Sequence, residues 1–423
     1  MKNLFKVAII CALMFFSEAK AQENLTLSLD EAKNYALEHN RTLQKAGISI
    51  KESDEVLWQA IANGLPQVSA TVDYSNYLGF SMAFGGQSIA FNPTSNAQLT
   101  VSQLIFSGQY WVGIEMAKLA KNFAEKNIIK TELDVKESVS LSYYTILMTE
   151  QTKNVLNENI KNIKDIHKRT SDLAKVGLIE ETDAEQLYIQ VRSLEAALSS
   201  LDRNIELAYN MLRIQLGVSY DTKITLTGNF DEYVEQPKKV YADYTFEENI
   251  NYQLLKSQEE LQLKQIKLNK AAYLPTVAAF YNYTYKLKKP AFDMSPANMV
   301  GLQANIPIFS SFQRASKVKQ SQIQLRSIQK DLEQVEEQLE IQEKQLKFNL
   351  ETALEQYRIQ QDNVVVAKKV FESNKQKHEQ GLLSALNLTT ANSNYLQAES
   401  SLISAKNELL KAQTELMKLL GTL

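Results

Sequence analysis

The chain has 423 residues, of which 44% are hydrophobic and 22% are charged, and its formal net charge is −3. This composition supports a large buried core, and the balanced charge argues against a nucleic-acid partner. With only 13 Gly and 7 Pro, the chain has too few turn residues for an all-β or doubly wound α/β fold, so we expect long helices. One Cys and three His leave almost nothing for a disulfide framework or a zinc site, and we expect no metal and no cofactor.

The first predicted element is a secretory signal peptide over residues 1–21. Two lysines precede an apolar run over residues 7–16, and Ala19 and Ala21 supply small residues at the cleavage position. The mature, exported chain is therefore predicted to begin near Gln22. Since no later segment reaches the roughly 18 consecutive apolar residues of a membrane-spanning helix, we do not expect helices to hold the protein in a bilayer.

The remaining sequence consists of two copies of one unit. Four motifs recur in the same order at offsets of 203 to 209 residues, and these pairs are Leu65-Pro66 with Leu274-Pro275, Ile105-Phe106 with Ile308-Phe309, Gly177-Leu178 with Gly381-Leu382, and Leu216-Gly217 with Leu420-Gly421. Repetition of this kind indicates a duplicated structural unit. We predict a first repeat over residues 22–217, a linker over 218–245 and a second repeat over 246–423.

Each repeat is predicted to contain a helix, a strand, a loop, a strand, a long helix, a turn and a second long helix. Ser28 and Glu31 form a capping box ahead of the first helix, which is predicted to run to about Asn63. The strands are predicted at about 66–78, 96–106, 275–286 and 297–308. The turns between the long helices, which we call the hairpin tips, are predicted at about 175–183 and 379–390.

The predicted strands alternate apolar and small polar residues. The apolar positions, predicted to face lipid, include Val68, Val72, Tyr74, Leu99, Val101, Val277, Tyr281, Val300 and Leu302. Alternation over about ten residues suits a transmembrane barrel, although a half-buried soluble sheet would show the same pattern. Because about eight strands are needed to close a barrel, a membrane role requires two, three or four copies of the chain.

The long helices carry coiled-coil patterns. Apolar residues in the second long helix of the first repeat step by four and three residues from Leu187 to Leu212. Near the C-terminus, two neighbouring series at seven-residue spacing indicate a helix that is contacted on two sides. The first long helix of each repeat should span roughly 100 Å.

The doubled motifs, the opening Leu27-Ser28-Leu29-Asp30-Glu31-Ala32 and the junction Ile306-Pro307-Ile308-Phe309 resemble the TolC family of outer-membrane efflux channels. The resemblance covers essentially the whole mature chain. It implies a mainly α protein with four transmembrane β-strands per chain, which contribute to a shared 12-stranded barrel in a homotrimer. It also implies an outer-membrane location with a long periplasmic helical tunnel, around which the linker wraps as a belt.

This resemblance further implies a passive duct that docks a periplasmic adaptor and, through it, an inner-membrane pump. The docking residues would lie at the tips, at Gly177, Leu178, Gly381 and Leu382. At the periplasmic gate, the family's two aspartates fall on Asn387 and Thr390, its arginine on Leu383 and its tyrosine on His378, and only Asp183 matches. With Leu383 unable to form a salt bridge, we expect the closed gate to depend on packing or other hydrogen bonds.

Two other classes of protein remain open at this point: a periplasmic coiled-coil adaptor and a structural scaffold without a pore. An adaptor would need Gly-rich and β-branched lipoyl-like segments, and a scaffold would explain neither the strands nor the export signal. No paired carboxylates, nucleophile elbow or phosphate loop indicates an enzyme. The three histidines, His39, His167 and His378, lack metal-ligand spacing and are predicted to lie at the surface.

Overall fold

The computed structural model describes residues 24–235, 244–289, 293 and 295–423. The predicted signal peptide and the predicted start at Gln22 lie outside these residues. The chain divides into two units. Of the described residues, the first unit, which we call the helical unit, contains those within 24–45, 130–249 and 339–423, and the second, the sheet unit, contains those within 46–129 and 250–338.

Long helices dominate both units. The helices are α1 (Leu29–His39), α2 (Arg41–Ala62), α3 (Gly108–Lys175), α4 (Glu181–Leu216), α5 (Phe230–Glu235), α6 (Ile250–Ala271), α7 (Gln313–Glu379) and α8 (Ala385–Leu419). The strands are β1 (Asn24–Leu27), β2 (Gln67–Ser75), β3 (Ser81–Phe84), β4 (Gln87–Ala90), β5 (Thr94–Ser107), β6 (Lys223–Leu226), β7 (Thr276–Lys288) and β8 (Asn298–Asn305). The predicted fold class, mainly α with long helical hairpins and strands, is confirmed.

The predicted first helix is divided into α1 and α2 at Asn40, so the prediction of one continuous helix to Asn63 was wrong. The capping box at Ser28 and Glu31 is present, and its hydrogen bonds from Ser28 hold the pKa of the Glu31 carboxyl below its ordinary value. Asn40 has an extended backbone and its side-chain oxygen accepts hydrogen bonds from the backbone N–H groups of Thr42 (2.8 Å) and Leu43 (3.2 Å). It therefore ends one helix and caps the next.

A buried apolar core lies in the helical unit where α1, α3, α4 and α8 meet. Linker residues 223–226, for which no strand was predicted, form β6 and pair in parallel with β1. The Tyr143 hydroxyl donates to the carbonyl of Leu27 (3.2 Å) and accepts from the N–H of Gly228 (3.0 Å). Burial, followed by the nearby Tyr233 hydroxyl, raises the pKa of Tyr143. The linker is thus held against the helices by a neutral, buried phenol.

The sheet unit contains an antiparallel sheet in the order β2-β5-β7-β8. All four strands join a helix at the same end of this sheet, through α2, α3, α6 and α7. β8 ends at Asn305 rather than near 308, and Pro307, which has no N–H to donate, lies two residues further on. The segment between β2 and β5 forms a small hairpin, β3–β4, that was not predicted.

The predicted coiled-coil positions are buried or partly buried. In α8 both seven-residue series are largely enclosed, since Ile403, Leu409, Leu410, Leu416 and Met417 are each less than 10% exposed. In α4 the side chains of Leu187, Val191 and Leu194 are buried as well. Among the helices built from the described residues, none combines the length and the apolarity that crossing a bilayer requires.

Candidate functional site: the hairpin tips and the two-faced sheet

The two hairpin tips have the same backbone geometry. Gly177 and Gly381 adopt φ values of 76° and 73°, the left-handed conformation in which a glycine commonly ends a helix. In the first tip the N–H of Leu178 donates to the carbonyl of Leu173 (3.0 Å), and in the second the N–H of Leu382 donates to Lys377 (2.9 Å). These bonds close the last helical turn and direct Leu178 and Leu382 outward, each with 72% of its surface exposed.

A cleft of about 500 Å³ opens beside the first tip. Its lining is mainly polar and aromatic: His167, Ser171, Ala174, Lys175, Glu181, Ala184, Glu185 and Tyr188. The rings of His167 and Tyr188 lie 5.8 Å apart, and Tyr188 is 53% exposed. The cleft and the exposed Leu178 together offer a surface with apolar, aromatic and charged groups.

His378 is buried, with 2% of its surface exposed, so the prediction of a surface position was wrong. Its Nδ1 lies 2.7 Å from the carbonyl oxygen of Leu383, and its Nε2 lies 2.9 Å from the Thr170 hydroxyl. Because a carbonyl oxygen can only accept, Nδ1 donates the first bond, while the Thr170 hydroxyl can either donate to Nε2 or accept from it. Because both nitrogens have partners, the ring can be removed from water at little cost.

Asp183, the one gate residue that matches the resembled family, contacts the second hairpin rather than an arginine. Its carboxylate accepts a hydrogen bond from the backbone N–H of Ala385 (3.2 Å), the first residue of α8. A helix N-terminus has unpaired N–H donors and a positive dipole end, so a carboxylate is stabilised there. Leu383 takes part through its carbonyl oxygen, and Asn387 and Thr390 are exposed on the first turns of α8.

Further contacts between the two hairpins were not predicted. Asn159 and Asn392 are buried and exchange two side-chain hydrogen bonds, of 2.6 and 3.2 Å. Arg169 also pairs with Glu379 at 3.0 Å, but both side chains are substantially exposed and the pair adds little stability. Asn392 lies one helical turn after the buried Leu388, so its position on the buried side of α8 follows from helix geometry.

In the sheet unit, the strand register places all nine residues predicted to face lipid on one face. Val68, Val101, Tyr281 and Val300 are successive partners across the four strands and form one row of that face. Thr71, Gln98 and Thr284 form a row of the opposite, polar face. The apolar face is not covered within the described residues: Val72 is 71% exposed, Val300 80% and Leu302 76%. Exposed apolar surface of this kind indicates a contact with lipid or with another chain.

Comparison with known proteins places these features in a family. The chain is 24% identical over 346 residues to the outer membrane protein TolC of Salmonella enteritidis. This alignment covers 79% of this chain and 68% of the relative. Its fold is similar to that of CusC, with a TM-score of 0.79 at 15% identity over 96% of this chain and 95% of the other. It is also similar to the outer membrane protein VceC of Vibrio cholerae, with a TM-score of 0.73 at 15% identity over 93% and 96% of the two chains.

The family model described as outer membrane efflux protein matches residues 33–218 and 251–422, one segment in each repeat. The match covers most of the chain and leaves out the linker. Membership favours an efflux channel over the periplasmic adaptor and the pore-less scaffold that the sequence patterns alone had left open. This chain therefore belongs to the outer membrane efflux protein family, whose members are outer-membrane channels rather than enzymes.

Proposed function

We propose that three copies of this chain form a passive exit duct, in which the four-stranded sheets combine into one 12-stranded barrel in the outer membrane. The observation that carries this proposal is the exposed apolar face of the sheet, with its aligned row Val68, Val101, Tyr281 and Val300. Within the described residues, β2 and β8 are each paired on one side only. Because open strand edges are not tolerated in lipid, further copies must pair with them.

The hairpin tips are the proposed docking site for a periplasmic adaptor, which links the duct to an inner-membrane pump. The support is local: the left-handed Gly177 and Gly381 turn each chain so that Leu178 and Leu382 are exposed. Exposed leucines on a rigid turn offer apolar contact area at low entropic cost. The cleft beside the first tip, with Tyr188 on its rim, adds an aromatic anchor.

The double substitution Leu178→Asp with Leu382→Asp is expected to abolish export, because it places charge in an apolar contact while leaving the turn glycines in place. Export of drugs or of a secreted protein, and adaptor cross-linking in cells, are the measurements. Trimers should remain at normal levels in the membrane, and the matched variant Leu178→Met with Leu382→Met should retain export. Full export by the aspartate variant would show that the adaptor binds elsewhere, while loss of trimers would count against the exposed position of the leucines.

The same region is the proposed periplasmic gate, made by Asp183, His378, Leu383, Asn387 and Thr390. Beside the exposed Arg169–Glu379 pair, two hydrogen bonds join the hairpins here, from Ala385 to Asp183 and between Thr170 and His378. Neither needs the arginine that Leu383 replaces. We therefore propose that the closed state depends on these two hydrogen bonds, with little contribution from the exposed Arg169–Glu379 pair, and not on a salt bridge at position 383.

Asn387 and Thr390 stand where an aspartate ring would bind cations, so a trivalent cation is expected to block the unmodified channel only weakly. Carboxylates near a threefold axis would concentrate negative charge, and Asn387→Asp with Thr390→Asp should strengthen the block by tenfold or more in planar-bilayer conductance recordings. Asn387→Leu with Thr390→Val is the uncharged control. Tight block of the unmodified channel would contradict this expectation and point to Glu180, Glu181 and Asp183 as the acidic ring.

A further inference from the structure

The segment that joins β2 to β5, residues 76–93, is folded and apolar. Its strands β3 and β4 are joined by Gly85 and Gly86, whose φ values of 58° and 83° fit a tight hairpin turn. The ring of Phe91 lies 5.6 Å from that of Tyr77 and 5.4 Å from that of Phe80. We call residues 76–93 the aromatic hairpin.

The aromatic hairpin exposes much of this apolar surface. Leu78 is 89% exposed, Phe80 55%, Met82 51% and Tyr77 48%. The sequence contains no charged residue between Asp73 and Glu115, a stretch that includes the whole hairpin. Exposing this uncharged, apolar surface to water is unfavourable, so we expect it to be covered by an apolar environment or by a partner.

The position of the hairpin in the sheet unit indicates what that environment is. All four strands join their helices at one end of the sheet, and the aromatic hairpin lies at the other. At that end Tyr74, Ser95 and Lys288 are successive partners and so lie on the apolar face. A bulge in β7 beside Ser95 brings Lys288 to this face.

Lys288 is the only charged residue among the described strand residues of the apolar face. Its Nζ atom lies 5.5 Å from the centroid of the Tyr74 ring. A lysine above an aromatic ring, at the very edge of an apolar face, is the arrangement found where a membrane surface changes from acyl chains to headgroups. Lys286 differs: it lies on the polar face and pairs with Asp293.

We propose that the aromatic hairpin and Lys288 form a collar that sits in the headgroup layer of the membrane and binds anionic lipid phosphate groups. The proposal rests on the proposed function, because it extends the lipid-facing surface of the sheet beyond the strand ends. The hairpin supplies apolar surface for the boundary of the acyl chains. Lys288 supplies the positive charge for a phosphate.

Depth-dependent quenching of tryptophan fluorescence by brominated lipids tests the position of the hairpin. In a background with Trp58→Phe and Trp111→Phe, a single tryptophan is placed at Phe80 in the reconstituted full chain. We expect bromines near the headgroup to quench it more strongly than bromines deep in the acyl chains. Val72→Trp, on the apolar face, should show the reverse order, and Thr71→Trp, on the polar face, should be quenched little.

These controls separate the two proposals. Quenching at position 72 without quenching at position 80 would overturn the collar and leave the barrel intact. In that case, cross-linking between copies through a cysteine at position 80 would show that a second chain, and not lipid, covers the aromatic hairpin. Absence of quenching at both positions would overturn the barrel and the collar together.

The headgroup is tested with brominated anionic and brominated zwitterionic phospholipids in competition. The unmodified lysine should give an anionic preference of about fivefold, the effect of one lysine at an anionic surface. Lys288→Gln should remove this preference and Lys288→Arg should keep it, while the matched variant Lys286→Gln should leave it unchanged. Equal preference in Lys288→Gln and the unmodified protein would overturn the role of Lys288.

Discussion

Alanine in place of Gly217 is expected to lower the free energy of unfolding by more than about 4 kcal/mol. Gly217 has a φ of 74°, and an alanine there would place its Cβ 2.1 Å from the carbonyl oxygen of His39. The oxygen belongs to the backbone, and the position of a Cβ is fixed by the backbone of its own residue, so neither atom can rotate away. A second contact holds the end of α1 close to the end of α4, because the Asn40 side chain donates a hydrogen bond to the carbonyl of Gln215 (2.6 Å).

Gly177→Ala is the matched control for this substitution. Gly177 has nearly the same φ, 76°, but nothing lies within 4 Å of the position of a Cβ. Only the cost of a left-handed alanine remains, about 1–2 kcal/mol. Thermal unfolding followed by circular dichroism, at fixed protein and detergent concentrations, measures the difference. Equal destabilisation by the two variants would show that α1 and α4 do not approach as closely as the structure has them.

Arginine in place of Val72 is expected to destabilise the membrane-inserted assembly by about 2–4 kcal/mol for each chain. Val72 lies on the apolar face and is 71% exposed, so we expect its side chain to meet the acyl chains of the bilayer. A guanidinium that is buried in lipid without a partner loses its hydration, and no other interaction offsets that cost. A threefold assembly would carry this penalty three times.

Thr71→Arg provides the comparison, because Thr71 is the neighbouring residue on the polar face that should line water. The amount of heat-sensitive trimer in outer-membrane fractions, seen on gels with and without boiling, is the measurement. We expect strongly reduced trimer for Val72→Arg and a normal amount for Thr71→Arg. Normal assembly of both variants would count against the barrel, and loss of both would indicate that β2 tolerates no arginine on either face.

Features that repeat within the sequence were predictable because they depend on local geometry. A glycine after a long apolar-periodic helix predicts a left-handed turn, and both Gly177 and Gly381 have one. Apolar steps of three and four residues in α4, and of seven residues in α8, predicted buried positions such as Leu187 and Leu410. Alternation in the strands predicted which residues share a face, since the side-chain period of a strand is two.

The tertiary structure decided the features that depend on residues far apart in the chain. Asn40 ends α1 where its side chain can also reach Gln215, and His378 is buried because Thr170, 208 residues away, satisfies its second nitrogen. The parallel pairing of β1 with β6 joins residues 199 positions apart. None of these contacts leaves a periodic signal, because each joins backbone or side-chain polar groups of two segments that are far apart in the chain. The sequence alone determined the duplicated helical hairpins and the two-faced strands, and only the packed chain determined which hydrogen bonds hold the hairpin tips together.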